Sequence, residues 1–137
     1  MENIIYSVEP NLSPDEFISV LVDSTLGERR PVNDPVRIRA MLENADIIVT
    51  ARVNGKLIGV SRAVSDFAFC TYLSDLAVHK DYQHKGIGKE MIRQTKIAAP
   101  SGKLILLAAP AAVSYYPRIG MTKHDHCYYI DNLEEIH

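Results

Sequence analysis

The sequence predicts an α/β domain built on a mixed β-sheet, and three observations predict it. The apolar positions Leu73, Leu76 and Val78 run into a glycine turn at Gly86 and Gly88, then into an amphipathic helix, then into a second apolar run from Lys103 to Ala108. Strand, turn, helix, strand is a parallel βαβ unit. Asn54-Gly55 joins two β-branched runs, and that dipeptide is the strongest short hairpin signal because both residues tolerate positive φ. Two helix start signals, Ser13-Pro14-Asp15-Glu16 and Asp34-Pro35, precede the hairpin.

Taken in order, Ile4 to Val8 reads as a first strand. Ser13, Pro14 and Glu16 make a capping box with proline at the first helical position, and Phe17, Val20 and Leu21 line one face of a helix running to about Ser24. Gly27-Glu28-Arg29-Arg30-Pro31 breaks it. Ile38, Met41, Leu42 and Ala45 recur at helical spacing after Asp34-Pro35. Ile47–Val53 and Lys56–Val64 form the hairpin, and the central strand enters through Phe69-Cys70-Thr71. The helix after the glycines sets Ile87, Met91, Ala98 and Ala99 against Lys89, Glu90, Arg93 and Lys96. Pro100-Ser101-Gly102 ends it, and residues 103–108 read as a buried parallel strand. Ala111 to Ile119 predicts a short helix with Gly120 as its C′ residue, Met121 to Ile130 a final strand, and residues 131–135 a frayed tail.

The chain of 137 residues is expected to be a single domain, residues 1–137, whose folding buries roughly two thirds of its extended surface. A net charge of −2 and a pI near 6.2 carry no electrostatic footprint for nucleic acid. A local acidic pocket for a cationic substrate stays open. The start Met-Glu-Asn-Ile-Ile-Tyr has no basic region, and no apolar run of about 18 residues occurs, so a cytoplasmic protein without a membrane partner is expected. Cys70 and Cys127 fall in predicted strands and are expected as reduced, packed thiols. His124 and His126 share a strand face but have no third ligand nearby in sequence, so no metal is expected.

The chemistry concentrates between Tyr72 and Lys89. Glycines at 86 and 88 let the backbone take positive φ and approach a ligand closely, while the helix that begins there leaves its first N–H groups unpartnered. With the positive end of the helix dipole and Lys85 and Lys89 alongside, the turn favours a phosphate or pyrophosphate. A tight turn with no ligand is the alternative. A P-loop is excluded because Glu90 follows Gly88-Lys89, and the dinucleotide fingerprint because Met91 stands where it needs a third glycine.

Gln83-x-x-Gly86-x-Gly88 after Leu76-Ala77-Val78 resembles the acyl-CoA-binding motif of the GNAT N-acetyltransferase superfamily, and the order of elements matches from about Ile47 to Met121. The resemblance implies a GNAT-like acyl-CoA N-acyltransferase fold, a mixed central sheet flanked by helices on both faces. It implies that Leu76, Ala77 and Val78 hold the pantetheine arm and thioester. It gives Gln83, His84, Lys85, Gly86, Ile87, Gly88 and Lys89 the pyrophosphate of acetyl-CoA, the co-substrate. Tyr115-Tyr116-Pro117-Arg118-Ile119-Gly120-Met121 resembles the segment whose tyrosine, here Tyr116, faces the CoA sulfur and protonates the leaving thiolate. The Val78 N–H is then the oxyanion donor. Asp75 and His79 share a face of the central strand. Either is a candidate base; Asp75 equally is a candidate to bind the cationic amine or to orient a loop. The resemblance places the first two helices and their loop, with Arg29, Arg30, Arg37 and Arg39, along the acceptor site, against a plain solvated face.

Three departures stand out. Ala109 occupies a position where many members carry an asparagine, Pro117 follows Tyr116, and one strand instead of two follows the short helix. The sheet is then shortened, or completed by a second copy in a homodimer. The expected function is transfer of an acetyl group from acetyl-CoA to a primary amine of a small molecule or peptide by direct attack. The alternatives are a CoA-binding sensor without turnover and a nucleotide-binding regulator.

Overall fold

Asn54 and Gly55 both take positive φ, 49° and 82°, as a two-residue hairpin turn requires. They join strands β2 (Ile47–Val53) and β3 (Lys56–Ser65) at the centre of a five-stranded sheet in the computed structural model, which describes residues 3–137. With β1 (Ile4–Val8), β4 (Cys70–Val78) and β5 (Lys103–Leu106), the order follows the sequence, β1-β2-β3-β4-β5; all neighbours are antiparallel except β4 and β5. The chain divides into two compact units, Met1–Leu107, which holds the sheet, and Ala108–His137.

Both expected caps form in the first unit. Ser13 Oγ accepts the Glu16 N–H at 3.2 Å to start α1 (Pro14–Asp23), and the Asp34 carboxylate accepts the Arg37 N–H at 3.1 Å to start α2 (Pro35–Glu43). Each such cap contributes about 1 kcal/mol. Phe17, Val20 and Leu21 of α1 and Ile38 and Leu42 of α2 bury against Ile48, Leu57, Val60 and Ala77 on one side of the sheet. Helix α3 (Ile87–Ala98) buries Ile87 and Met91 against Val49, Ala51, Ile58, Ala63 and Leu73 on the other. Each fully buried side chain of this size stabilises by roughly 2 kcal/mol, so the two helical layers fix the sheet between them. Gly59 permits the close approach of α3: a Cβ there would lie 2.9 Å from Met91 Cε.

Strand β4 is irregular in two ways. Arg62 pairs with Asp75 but Ala63 pairs with Leu73, so Ser74 is an extra residue, a β-bulge. The bulge explains why Leu73, Leu76 and Val78, which do not alternate, all pack with the α3 layer. In addition β5 pairs only with Cys70–Leu73. Beyond Leu73 the edge of β4 that faces away from β3 has no partner strand among the described residues.

Several expectations are corrected. Strand β5 stops at Leu106 and is half-exposed, with Ile105 and Leu107 in solvent, because it is the sheet's last strand and only alternate residues, Leu104 and Leu106, turn to the α3 layer. Cys70 and Cys127 are free thiols but exposed, not packed.

The second unit has a 3-10 turn at Pro110–Ala112 and a four-residue helix α4 (Tyr115–Arg118) in place of the continuous helix 111–119. Gly120 takes φ +100°, and the N–H groups of Ile119 and Met121 both go to the Tyr116 carbonyl, which closes the turn. The final strand expected over 121–130 is absent: the segment is irregular, with Tyr128, Tyr129 and Ile130 exposed. Aromatic and β-branched composition favours a strand only where a neighbour supplies the ladder. Leu133–Glu135 forms a 3-10 turn where a frayed tail was expected.

Candidate functional site

The open edge of β4 is the feature from which the site is built. Ser61, Val60 and Gly59 of β3 pair with Leu76, Ala77 and Val78 on one side. On the other side the backbone groups of this stretch face no strand, and an extended ligand can take the place of one. The His79 N–H donates to Ile58 O at 2.8 Å, which keeps β4 tied to β3 to its end. Gln83 Nε2 donates to Val78 O at 3.0 Å. The Gln83 side chain therefore seals the end of the strand, and what Gln83 offers a ligand in the turn beyond is its backbone.

After a 3-10 turn at Lys80–Tyr82 the chain passes two left-handed residues, His84 at φ +64° and Gly86 at φ +80°. Gly86 is the N-cap of α3, and the helix's first internal bond runs from the Glu90 N–H to Gly86 O at 3.1 Å. The N–H groups of Ile87, Gly88 and Lys89 precede that bond and have no partner within the helix. Gly88 lies in the helix, so only Gly86 needs a glycine's backbone, and the second left-handed residue is His84, which no motif signalled. Ile87 is buried and anchors the helix start, while His84, Lys85, Gly86 and Lys89 are exposed around it. Lys85 Nζ rests 5.3 Å from the centre of the Tyr82 ring. N–H donors, a helix dipole and two ammonium groups together suit a phosphorylated ligand.

Asp75 lies next to the bulge with its side chain 0% exposed. Arg30, from the connection between α1 and α2, donates through Nε to Asp75 Oδ1, and Arg62 of β3 donates through Nε to Oδ2. Arg30 Nη2 also reaches Ser74 O at 2.8 Å, and Arg62 Nη2 reaches Ser74 Oγ at 3.0 Å while its Nη1 meets Met41 O of α2 at 3.3 Å. One carboxylate thus ties together β3, the bulge of β4 and the α1–α2 connection, and Arg62 links the cluster on to α2. Of the roles open to Asp75, its contacts describe the orienting one, because both oxygens are held by guanidinium donors. His79 is similarly engaged: Nδ1 accepts the Asp81 N–H at 3.1 Å, Nε2 lies 3.5 Å from Asp23 Oδ2, and its ring sits edge-on to Tyr82 at 5.8 Å. Sequence reasoning named Asp75 and Arg30 separately and missed Arg62.

In the second unit Tyr115 and Tyr116 are both half-buried and meet edge to face, with centroids 5.2 Å apart. The His124 and His126 rings are 5.6 Å apart and exposed. Among the described residues no group of three or more His, Cys, Asp or Glu side chains is placed to hold a metal ion, and no helix is long and apolar enough to cross a membrane.

Residues 15–121 match the model of the acetyltransferase (GNAT) family. An uncharacterized N-acetyltransferase, ycf52, of Pyropia yezoensis is 32% identical over 130 residues, 89% of this chain and 72% of that protein. The histone acetyltransferase TAP1 of Glycine max is 28% identical over 88% of this chain, which spans 56% of the soybean protein's length. Among solved structures, a GNAT family acetyltransferase of Streptococcus pneumoniae superposes with a TM-score of 0.76 at 17% identity, covering 94% of this chain and 98% of that one. The ribosomal-protein-alanine N-acetyltransferase of Brucella melitensis biovar Abortus 2308 does so with a TM-score of 0.72 at 19% identity, covering 95% and 99%. At these identities the structural likeness speaks for the fold.

Proposed function

The chain belongs to the GNAT family of acetyltransferases, and from that premise we propose that it moves the acetyl group of acetyl-CoA to a primary amine of a small molecule or peptide. The observation that carries the reading is the edge of β4 left open beyond Leu73, which leads directly to a helix N-terminus capped by Gly86. In this reading the pantetheine arm lies along Leu76, Ala77 and Val78, and the pyrophosphate sits on the loop from Gln83 to Lys89.

The amine attacks the thioester carbonyl directly in a ternary complex. The C–N bond forms as the carbonyl becomes an oxyanion held by the Val78 N–H. The C–S bond then breaks, the departing thiolate takes the phenolic proton of Tyr116, and the proton shed by the former amine nitrogen returns to the phenolate through solvent. An unperturbed phenol titrates near pH 10 and is a competent donor to a leaving thiolate. Asp75 and His79 serve by holding β4 in place, the first through Arg30 and Arg62 and the second through Asp23 and Asp81. No acyl-enzyme is required, because the amine is itself the nucleophile.

Calorimetric titration with acetyl-CoA and CoA, with ATP and NAD as controls, followed by thiol release across an amine panel, tests the reading. Selective binding of the CoA species with release for some amine supports it. Binding without release for any amine makes the protein a CoA-binding module instead, and loss of selectivity for CoA over ATP overturns the reading of the loop. Tyr116→Phe is expected to lower kcat on the order of 100-fold while the Kd for acetyl-CoA stays within about twofold. An unchanged kcat removes Tyr116 from the mechanism.

A further inference from the structure

We propose that Arg30 determines specificity, selecting amine acceptors that carry a carboxylate close to the reacting nitrogen; the inference rests on the transferase reading above. Three observations lead to it. The first is charge: Asp75 is one carboxylate between two guanidinium groups. Neutralising it takes one of them, and Arg62, the more buried with 10% of its side chain exposed, already does so. The second guanidinium is surplus to the ion pair.

The second observation is access. Arg30 keeps 23% of its side chain exposed although the Asp75 it holds has none. It stands over Ser74, where the open edge of β4 begins. The third is donor count. A guanidinium has five N–H groups. Among the described residues Arg30 donates through Nε to Asp75, through Nη2 to Ser74 O and through Nη1 to Arg29 O at 2.9 Å. One N–H on each terminal nitrogen is left for a ligand. A guanidinium already fixed by its other contacts is pre-organised for a carboxylate, with little side-chain entropy left to lose.

The same charge bears on the reaction. An amine must lose its proton before it attacks, and a nearby positive charge favours the neutral amine. It also disfavours acceptors that bring further positive charge, such as polyamines. An acceptor carboxylate placed on Arg30 anchors the molecule at the start of the open edge, next to the strand that holds the thioester.

The experiment compares kcat/KM for matched acceptors with wild-type protein: small amino acids, the same compounds as carboxamides, and a diamine. The acids are expected to exceed their amides by on the order of tenfold or more. In Arg30→Gln that ratio is expected to fall toward one; Arg30→Lys, which keeps the charge but not the fork, should fall between. Amides or the diamine reacting as fast as the acids in wild type overturns the proposal without needing any variant to fold. A ratio unchanged in a folded Arg30→Gln overturns it too and leaves Arg30 a structural residue. Acetyl-CoA binding with no thiol release from any acceptor brings down the transferase reading and this inference together, a result distinct from acetylation of the wrong class.

Discussion

Two clusters of three charges hold the first unit together, and their compositions are mirror images. At the bulge of β4 one carboxylate, Asp75, lies between two guanidinium groups, Arg30 and Arg62. Elsewhere on the sheet one guanidinium, Arg52 of β2, lies between two carboxylates, Glu9 after β1 and Glu16 of α1. Arg52 spends all five of its N–H groups: Nε and Nη2 on Glu9 at 2.9 and 3.0 Å, Nη1 and Nη2 on Glu16 at 2.6 and 3.2 Å, and Nη1 on Gly55 O at 2.9 Å. Arg30 spends three. A saturated cation has nothing left to offer a ligand, so the Arg52 cluster is architecture. The unsaturated one lies beside an open strand edge, where the proposed acceptor site is placed.

The sharpest way to break the contrast is to remove the shared ion from the buried cluster. Asp75→Ala leaves the largely buried Arg62 with an uncompensated charge and is expected to cost about 3–5 kcal/mol in urea unfolding. A loss below about 1 kcal/mol would show that Asp75 behaves as a surface pair and that its burial does not govern its energetics.

What the sequence reveals divides along the same line. Local signals are legible: Asn54-Gly55 specifies its turn, Ser13 and Asp34 cap their helices, and Gly86 opens α3. The clamp at Asp75 is not, because Arg30 lies 45 residues from it and Arg62 lies 13, and charge pairing at such separations has no period to detect. One trace of it does exist in the sequence. Leu73, Leu76 and Val78 break strict alternation, and a strand whose apolar residues change parity carries a bulge between them; that bulge presents Ser74 to both arginines. The expected strand over 121–130 fails for the complementary reason. Tyr128, Tyr129 and Ile130 have strand-forming side chains, but the ladder that would make them a strand depends on a neighbour that composition does not specify.

Removing Arg52 should give a smaller effect than removing Asp75. Arg52→Met strands Glu9 and Glu16, but both are partly exposed and regain water, so a loss of about 1–2 kcal/mol is expected in the same unfolding assay, with acetyl-CoA affinity unchanged. Hydrogen bonds from Arg52 hold both carboxyls below their ordinary value of 4.5. A lowered folded-state value means stability that is fully present above the unfolded value and lost as pH falls through the folded one. The gap between wild type and Arg52→Met should therefore be constant at neutral pH and close in acid. A gap independent of pH would assign the loss to packing of the Arg52 stem.

The smallest effect belongs to a carboxylate with no guanidinium at all. Asp66, in the turn between β3 and β4, accepts the N–H groups of Ala68, Phe69 and Cys70 at 2.9, 2.8 and 3.1 Å. Those backbone donors, led by Phe69, hold its carboxyl at about 2 against an ordinary 3.8. Asp66→Asn keeps an acceptor oxygen for the same N–H groups and removes only the charge, so any difference from wild type isolates the charge-assisted part of the turn. The sign is again that of a lowered acid: wild type should hold a small advantage above pH 3.8 that declines as the pH approaches 2. Because the turn is fully exposed, the advantage should be the least of the three, and raised salt should leave it largely intact, since the donors are fixed dipoles at contact distance and not distant charges. If Asp66→Asn instead matches Arg52→Met in cost, a set of backbone N–H groups holds a carboxylate as firmly as a saturated guanidinium does, and the ranking of the three sites by their cations is wrong.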